Sequence, residues 1–463
     1  MSRKATFLVI LIVISLFVGG LTGFYFYSKN KNPEPSILGR NTSNRTFGGY
    51  NPDDANISDN RNNDPLIVPE TPGEKEKVKK LRKISSEPVA GADFISIPLY
   101  ATSTTNIEPE DTSRTNGRII RPTQPKLVGY LDTIRFMERA TGHIYETSTS
   151  SLEKTRISNT TIPKIYEALF TENGKSLILR DLVGGTDIIR TRYAISALAT
   201  TTDSEQSLVL TDLTPGITQI TVSPTKDRTF SILSEGVTGF LSKIDGGSKQ
   251  TLLDIPFREW LVSWPEAKTI VVNTKPSGFY PGFAYAINPD NRSFTRIIGG
   301  INGLTTLMSP DTTKVLYSES SSGSFRMGVL DRKTNERRDI TLRTFPEKCV
   351  WANTEKDVVY CAVPEDVAFN TYPDVWYQGR IGFSDSIWKI NITSGETRLL
   401  SKIQDEAGEI VDVQSISINK NDDYLLFTNK NNLQLWGLML KEPAREVFDP
   451  LKDRPATTTD EQI

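Results

Sequence analysis

The sequence is poor in the residues most enzymes depend on. It contains one His and two Cys in 463 residues. A single His excludes a His-cluster metal site and leaves His143 as the sole imidazole for a Ser-His-Asp arrangement. His143 stands in Ala-Thr-Gly-His-Ile-Tyr at a strand start, where a satisfied strand or turn residue is the simpler reading than a base. Two Cys exclude a Cys₄ zinc site and a disulfide framework. Charge of one sign is also lacking: 54 Lys+Arg stand against 56 Asp+Glu, a formal net charge of -2. A nucleic-acid binder needs a basic surplus to release counterions, so no nucleic-acid partner is expected. No G-x-S-x-G elbow and no G-x-G-x-x-G loop occurs. Gly174-Lys175-Ser176 lacks the earlier Gly of a phosphate loop, which would fall at Leu169. Carboxylates are abundant, but no spacing pairs two of them. No catalytic residue, metal or cofactor is therefore expected, and the chain reads as a non-enzyme.

Hydrophobic residues make up 37%, which suggests that part of the chain builds no core. Residues 7–27 are the opposite: 21 positions without a charge. A helix of that length, at about 1.5 Å per residue, crosses a bilayer core. Arg3 and Lys4 precede it, Lys29 and Lys31 follow it, and Phe24 to Tyr27 supply an interfacial aromatic belt. No A-x-A-like site follows, so an uncleaved signal-anchor is favoured over a cleaved signal peptide. Residues 1–6 become a cytoplasmic tail, and the long polar remainder lies outside the membrane. Gly19 and Gly23 form one GxxxG, which small residues in a membrane helix explain as well as dimerisation does.

Residues 28–73 are rich in Asn, Pro and Asp and read as a disordered linker. In residues 74–86, Val78, Leu81 and Ile84 recur at three-residue spacing among charges, which predicts a short amphipathic helix. Residues 450–463 read as a flexible tail.

From 88 to 449 the pattern switches to period two. A polar turn recurs, starting at Glu172, Thr225, Glu266, Asp311, Asn353 and Lys420, at spacings of 53, 41, 45, 42 and 67 residues. Each turn precedes an apolar strand: SLILR, TFSIL, TIVVN, KVLYS, DVVYC and YLLFT. A third strand and a short fourth strand follow. This is the period of a β-propeller blade with one large insertion. Six units lie between Ile165 and Leu440, and one more precedes them. Val89 to Ile95 is either the inner strand of that first unit or the strand that closes the ring. The fold class is all-β, with seven four-stranded blades favoured and six or eight also compatible.

Ser309-Pro310-Asp311, Ser223-Pro224 and Phe170-Thr-Glu-Asn-Gly-Lys175, each followed by an apolar strand, carry a family resemblance. They resemble the WD40-like repeat of TolB-type bacterial β-propellers, over roughly residues 88–449. The resemblance implies a membrane-anchored, extracytoplasmic propeller of unassigned activity. A binding or scaffold role toward an envelope protein or glycan is the leading expectation. An extracytoplasmic carbohydrate-active enzyme on the same scaffold is the alternative.

Two local expectations complete the reading. Cys349 and Cys361 flank the turn beginning at Asn353 and face each other across a hairpin, where a disulfide fits. The loops between second and third strands are long in three blades, near 181–187, 274–282 and 364–385. They gather aromatic residues on one rim of a rigid scaffold. Trp376, Tyr377, Tyr280, Phe279, Tyr372 and Arg380 are the candidate partner-binding residues. The competing reading is that the aromatics fold the insertion onto its own blade.

Overall fold

The computed structural model describes residues 79–100, 127–151, 153–171, 174–196, 207–233, 238–254 and 259–441. The expected membrane span at 7–27 with Gly19 and Gly23, the linker at 28–73 and the tail at 450–463 lie outside them. Among the described residues no helix is long and apolar enough to cross a membrane.

The recurrent polar turn joins the first and second strands in six of the seven sheets, and its chemistry repeats. Ser223 Oγ accepts from the backbone N–H of Asp227 and Arg228 at 3.2 and 3.1 Å. Ser309 Oγ accepts from Lys314 N–H at 3.0 Å. Asn419 Oδ1 does the same for Asp423 and Tyr424 at 3.0 and 3.1 Å. A short polar side chain thus closes the turn in place of a backbone carbonyl. The next left-handed position is Gly174 in one turn, but Lys226, Thr312 and Asp422 in others, at φ of 55, 58 and 54°.

Among the described residues there are seven four-stranded antiparallel sheets. Blade 1 is β2–β5 (Val89–Tyr100, Leu127–Glu138, Ile144–Ser148, Thr155–Arg156). Blade 2 is β6–β9 (Ile165–Phe170, Ser176–Leu182, Ile189–Ser196, Leu208–Asp212). Blade 3 is β10–β13 (Ile217–Val222, Arg228–Leu233, Thr238–Lys243, Gln250–Asp254). Blade 4 is β14–β17 (Trp260–Glu266, Thr269–Thr274, Pro281–Ile287, Phe294–Asn302). Blade 5 is β18–β21 (Thr306–Met308, Lys314–Ser321, Ser324–Asp331, Arg337–Ile340). Blade 6 is β22–β25 (Cys349–Trp351, Val358–Pro364, Asp385–Asn391, Thr397–Lys402). Blade 7 is β26–β28 (Val413–Ile418, Tyr424–Asn429, Leu435–Met439), completed by β1 (Leu81–Ser85).

Burial explains why the second strands are the apolar ones. β23 and β27 are buried at every position, because a neighbouring blade covers each face. Every adjacent pair of blades shares an apolar cluster. Ile178 with Ile220 joins blades 2 and 3, Val271 with Val315 joins 4 and 5, and Leu316 with Val359 joins 5 and 6. Phe136 with Leu426 joins blade 1 to blade 7, so the ring closes.

The expected amphipathic helix at 74–86 is corrected over its described part. Leu81–Ser85 is a strand, pairing Leu81 with Leu438 and Lys83 with Trp436. Blade 7 has only three strands of its own, and the open edge of β28 offers unpaired backbone groups. Pairing there, with Leu81 in the blade 6–7 core, outweighs the propensity of so short a helix. The basic residues are absorbed as well. Buried Arg82 donates to Tyr424 Oη at 2.8 Å, and Lys83 pairs with Glu409 at 2.5 Å. Val89–Tyr100 is accordingly the inner strand of blade 1, and the closing strand is β1.

Candidate binding face and channel

Four up-and-down strands per blade place the loops between second and third strands on one face, beside the connections between blades. In blade 5 that loop is two residues, Ser322-Gly323. In blade 6 it runs from 365 to 384 and contains a short helix, α1 (Asp374–Tyr377).

A twenty-residue loop must bury apolar surface of its own to offset its ordering entropy. This one does so with a separate cluster of Phe325, Phe345, Tyr372, Val375, Trp376 and Phe383. Phe325 and Phe345 stack at 4.1 Å between centroids, and Phe345 lies 5.3 Å from Trp376. The expectation for Tyr372 and Trp376 as partner contacts is corrected here: both are buried and fold the insertion down.

The insertion is also tied to its neighbours. Asp374 accepts from Ser277 Oγ at 2.9 Å and from Gly278 N–H at 2.7 Å, which reaches blade 4 across blade 5. A Cβ on Gly278 would stand 2.6 Å from the Tyr372 carbonyl oxygen, so this close approach requires glycine. Asn370 N–H donates to Gly323 O at 2.8 Å, and Ser320 Oγ donates to Tyr372 O.

Several aromatic side chains are left outside. Phe369 is 85% exposed, Tyr280 74% and Phe279 68%. Arg380, in the same insertion as Phe369, is also exposed, and Tyr377 keeps part of its ring open. Four of the six predicted contacts thus remain on the surface. Phe369, within the expected insertion but not among the predicted contacts, is the most open of these aromatics. Its position before the buried Tyr372 gave no sign of that.

Beneath the rim runs the central channel. Inner strands β2, β6, β10, β14, β18 and β26 all contribute to its walls. One compartment, of about 680 Å³, is lined by Gln219, Asn273, Thr306, Glu347, Tyr377, Gln414 and Lys430, among others. Glu347 belongs to the 3₁₀ turn Pro346–Lys348 that leads into β22. Burial raises its carboxyl to about 7, against the opposing effects of the Tyr377 hydroxyl, which donates to it, and of Lys348. Burial likewise pushes the Tyr377 phenol well up, and the Glu347 carboxylate adds to this. The second oxygen of Glu347 is buried without a hydrogen-bond partner.

The next residue turns the other way. Lys348 is fully buried and donates to Asp385 at 2.6 Å and to Asp412 at 2.5 Å. Trp376 Nε1 donates to Asp412 Oδ2 at 2.9 Å, and Val413 N–H to Asp385 Oδ2 at 2.7 Å. Burial raises the Asp385 carboxyl, and Lys348 opposes that shift. The node pins the insertion, the entry to blade 6 and the entry to blade 7 together. Nothing in the sequence spacing links 348, 385 and 412; only the charged pair Glu347-Lys348 against an inner strand hinted at it.

Cys349 and Cys361 are register partners across β22 and β23 and form a disulfide, with Cα atoms 4.1 Å apart. His143 lies 3.0 Å from Thr161 Oγ1, a satisfied ring near the start of β4. Among the described residues no group of three or more His, Cys, Asp or Glu could hold a metal ion.

No protein-family model matches the sequence, and no curated protein does. Among solved structures, the chain is similar to the tricorn protease at 8% identity and a TM-score of 0.45. That match covers 66% of this chain and 32% of the other. Oligogalacturonate lyase in complex with manganese aligns at 12% identity and a TM-score of 0.45, over 67% of this chain and 86% of that one. TolB from Acinetobacter baumannii aligns at 13% identity and a TM-score of 0.38, over 56% and 59%. The chain therefore spans about a third of the tricorn protease and less than two thirds of TolB. TolB-type propellers thus stand among the structures it resembles, and the seven-bladed assignment rests on the sheet order and the closed ring of shared cores.

Proposed function

We propose that this chain is a membrane-anchored, extracytoplasmic propeller that binds an envelope protein or glycan on the rim carrying Phe279, Tyr280 and Phe369. The observation that carries the reading is a braced loop with open aromatics. The insertion is held by its own core, by Asp374 and by the Lys348 node, yet leaves Phe369 85% exposed. Order without burial at a rim is the combination found at binding surfaces, where rigid aromatic anchors cost little entropy on docking. The anchor part of the proposal draws on the uncharged run at 7–27.

A carbohydrate-active enzyme is the second reading. Glu167 and Glu347 line one cavity, and burial holds Glu347 near 7, in the range of a general acid. Glu167, however, is engaged by Arg180 at 2.8 Å.

The test is capture of envelope components by the full chain. Phe279→Ala with Tyr280→Ala and Phe369→Ala is expected to lower capture at least tenfold with an unchanged thermal melt. Unchanged capture by the folded triple variant would reject the rim. Release of the full chain from membranes by alkaline wash would reject the anchor.

A further inference from the structure

The channel holds charges and hydrogen-bonding groups that rim docking leaves unused. A second compartment, of about 430 Å³, lies against β2 and is lined by Arg139, Tyr166 and Arg180. It meets the larger one along Glu167, Gln219, Gln414 and Ser415, which line both.

The cations there are held in place but incompletely neutralised. Arg180 is buried, with one nitrogen on Glu167 at 2.8 Å and another on the Thr218 carbonyl at 2.9 Å; its Nε has no partner. The Arg139 guanidinium sits 5.5 Å from the centroid of the Tyr166 ring, and Arg180 lies 5.8 Å from the same ring. Among the described residues no carboxylate pairs with Arg139. In the larger compartment Lys430 rests 5.2 Å from the Trp376 ring, again with no ion pair among the described residues. Three cations thus face Glu167 and a Glu347 that burial keeps part-protonated near neutrality. Among the charged side chains that line the two compartments, cations therefore outnumber carboxylates, although the chain as a whole has a net charge of -2.

Neutral groups surround these charges. No hydrogen bond engages the side-chain amides of Gln219 and Gln414 among the described residues. Ser415 is exposed at a left-handed φ of 51°, where the register of β26 shifts between Gln414 and Ser417. Amides and hydroxyls both donate and accept, which suits ligand hydroxyls that do the same. The half-exposed Tyr166 ring offers a flat apolar face.

We infer that the channel binds a short acidic saccharide, its carboxylate on Arg139 above Tyr166 and its hydroxyls along Gln219, Gln414 and Ser415 toward Lys430. A guanidinium takes a carboxylate bidentately, and the fixed Arg180 charge deepens the field without moving. An acidic peptide would also satisfy the cations, and its backbone N–H and C=O groups could meet the amides; a saccharide instead brings hydroxyls that each donate and accept, and titration with triglutamate separates the two. The site is separate from the aromatic rim and does not rest on that reading.

The experiment is calorimetric titration of the full chain with a diuronate and a triuronate, the matching neutral disaccharide, and triglutamate. The uronates are expected to bind at least tenfold more tightly than the neutral sugar and the peptide. Arg139→Met and Lys430→Met should each weaken uronate binding, Arg139→Met by tenfold or more. The rim triple variant should bind uronates as the parent does. Absence of uronate binding, equal or tighter triglutamate binding, or an unaffected folded Arg139→Met chain would overturn the proposal.

Discussion

Blades 5 and 6 are neighbours built on one plan, and they differ in what holds their outer loops. In blade 5, β19 and β20 are joined by Ser322-Gly323, both at positive φ, 41 and 78°. Two left-handed residues match the twist of the flanking strands, so the connection is decided by local backbone chemistry. In blade 6 the equivalent connection is an insertion with no such local rule. Its order comes from a six-residue apolar cluster, from Asp374 reaching blade 4, and from a buried Lys348 between two aspartates. The comparison separates two ways of fixing a loop: a turn that is right by itself, and a loop made right by what it lands on.

The sharpest way to break the comparison is at the buried node. Lys348→Met removes the cation and strands Asp385 and Asp412 in a dry interior. Its expected cost is about 3–5 kcal/mol, because the uncompensated charges remain. Denaturant melts should show the loss, and proteolysis should cut the insertion before it cuts blade 5. A cost below about 1 kcal/mol would mean the node does not hold the insertion.

A second test uses pH, since the entry to blade 5 at 303–305 carries no titratable side chain and the entry to blade 6 carries Glu347. Its folded carboxyl is raised from 4.5 to about 7, so the folded chain holds that proton more tightly than the unfolded chain. The stabilisation is complete below about pH 4.5 and is lost as pH rises through 7. Glu347→Gln stays neutral throughout. It should match the parent near pH 4 and exceed it by about 1–3 kcal/mol at pH 8. Parallel stability curves for parent and variant would refute this.

The smallest effect belongs to blade 5. Gly323→Ala forces a side chain into the left-handed region at a cost of about 1–2 kcal/mol. The new Cβ meets the Phe369 ring, which lies largely in solvent and can swing aside. A cost above that of Lys348→Met would reverse the contrast between the two blades.

Much of this is legible in the sequence. The period-two strands, the recurrent turn and its spacing define the blades, because burial on both faces makes the second strands predominantly apolar. The facing of Cys349 and Cys361 follows from hairpin register alone. The long loop of blade 6 and its aromatics were equally visible, but not which ones face solvent. Phe369 and Trp376 are alike as sequence symbols. Only the packing of Phe345 and Phe325 from neighbouring segments decides that Trp376 goes in and Phe369 stays out.

The sequence by itself determined the all-β class, the blade repeat and the neutral overall charge, since each is a local or summed property of the chain. Tertiary structure decided three things. Leu81–Ser85 became the closing strand because an open edge on β28 awaited it, not because five residues prefer a strand. Lys348, Asp385 and Asp412 became one node because three segments far apart in sequence converge where water is excluded. Arg139, Arg180 and Lys430 came to line one channel because the ring carries their blades to a common axis. Local propensity and periodicity act over a few residues, whereas edge pairing, desolvation and channel charge depend on contacts that only the closed ring brings together.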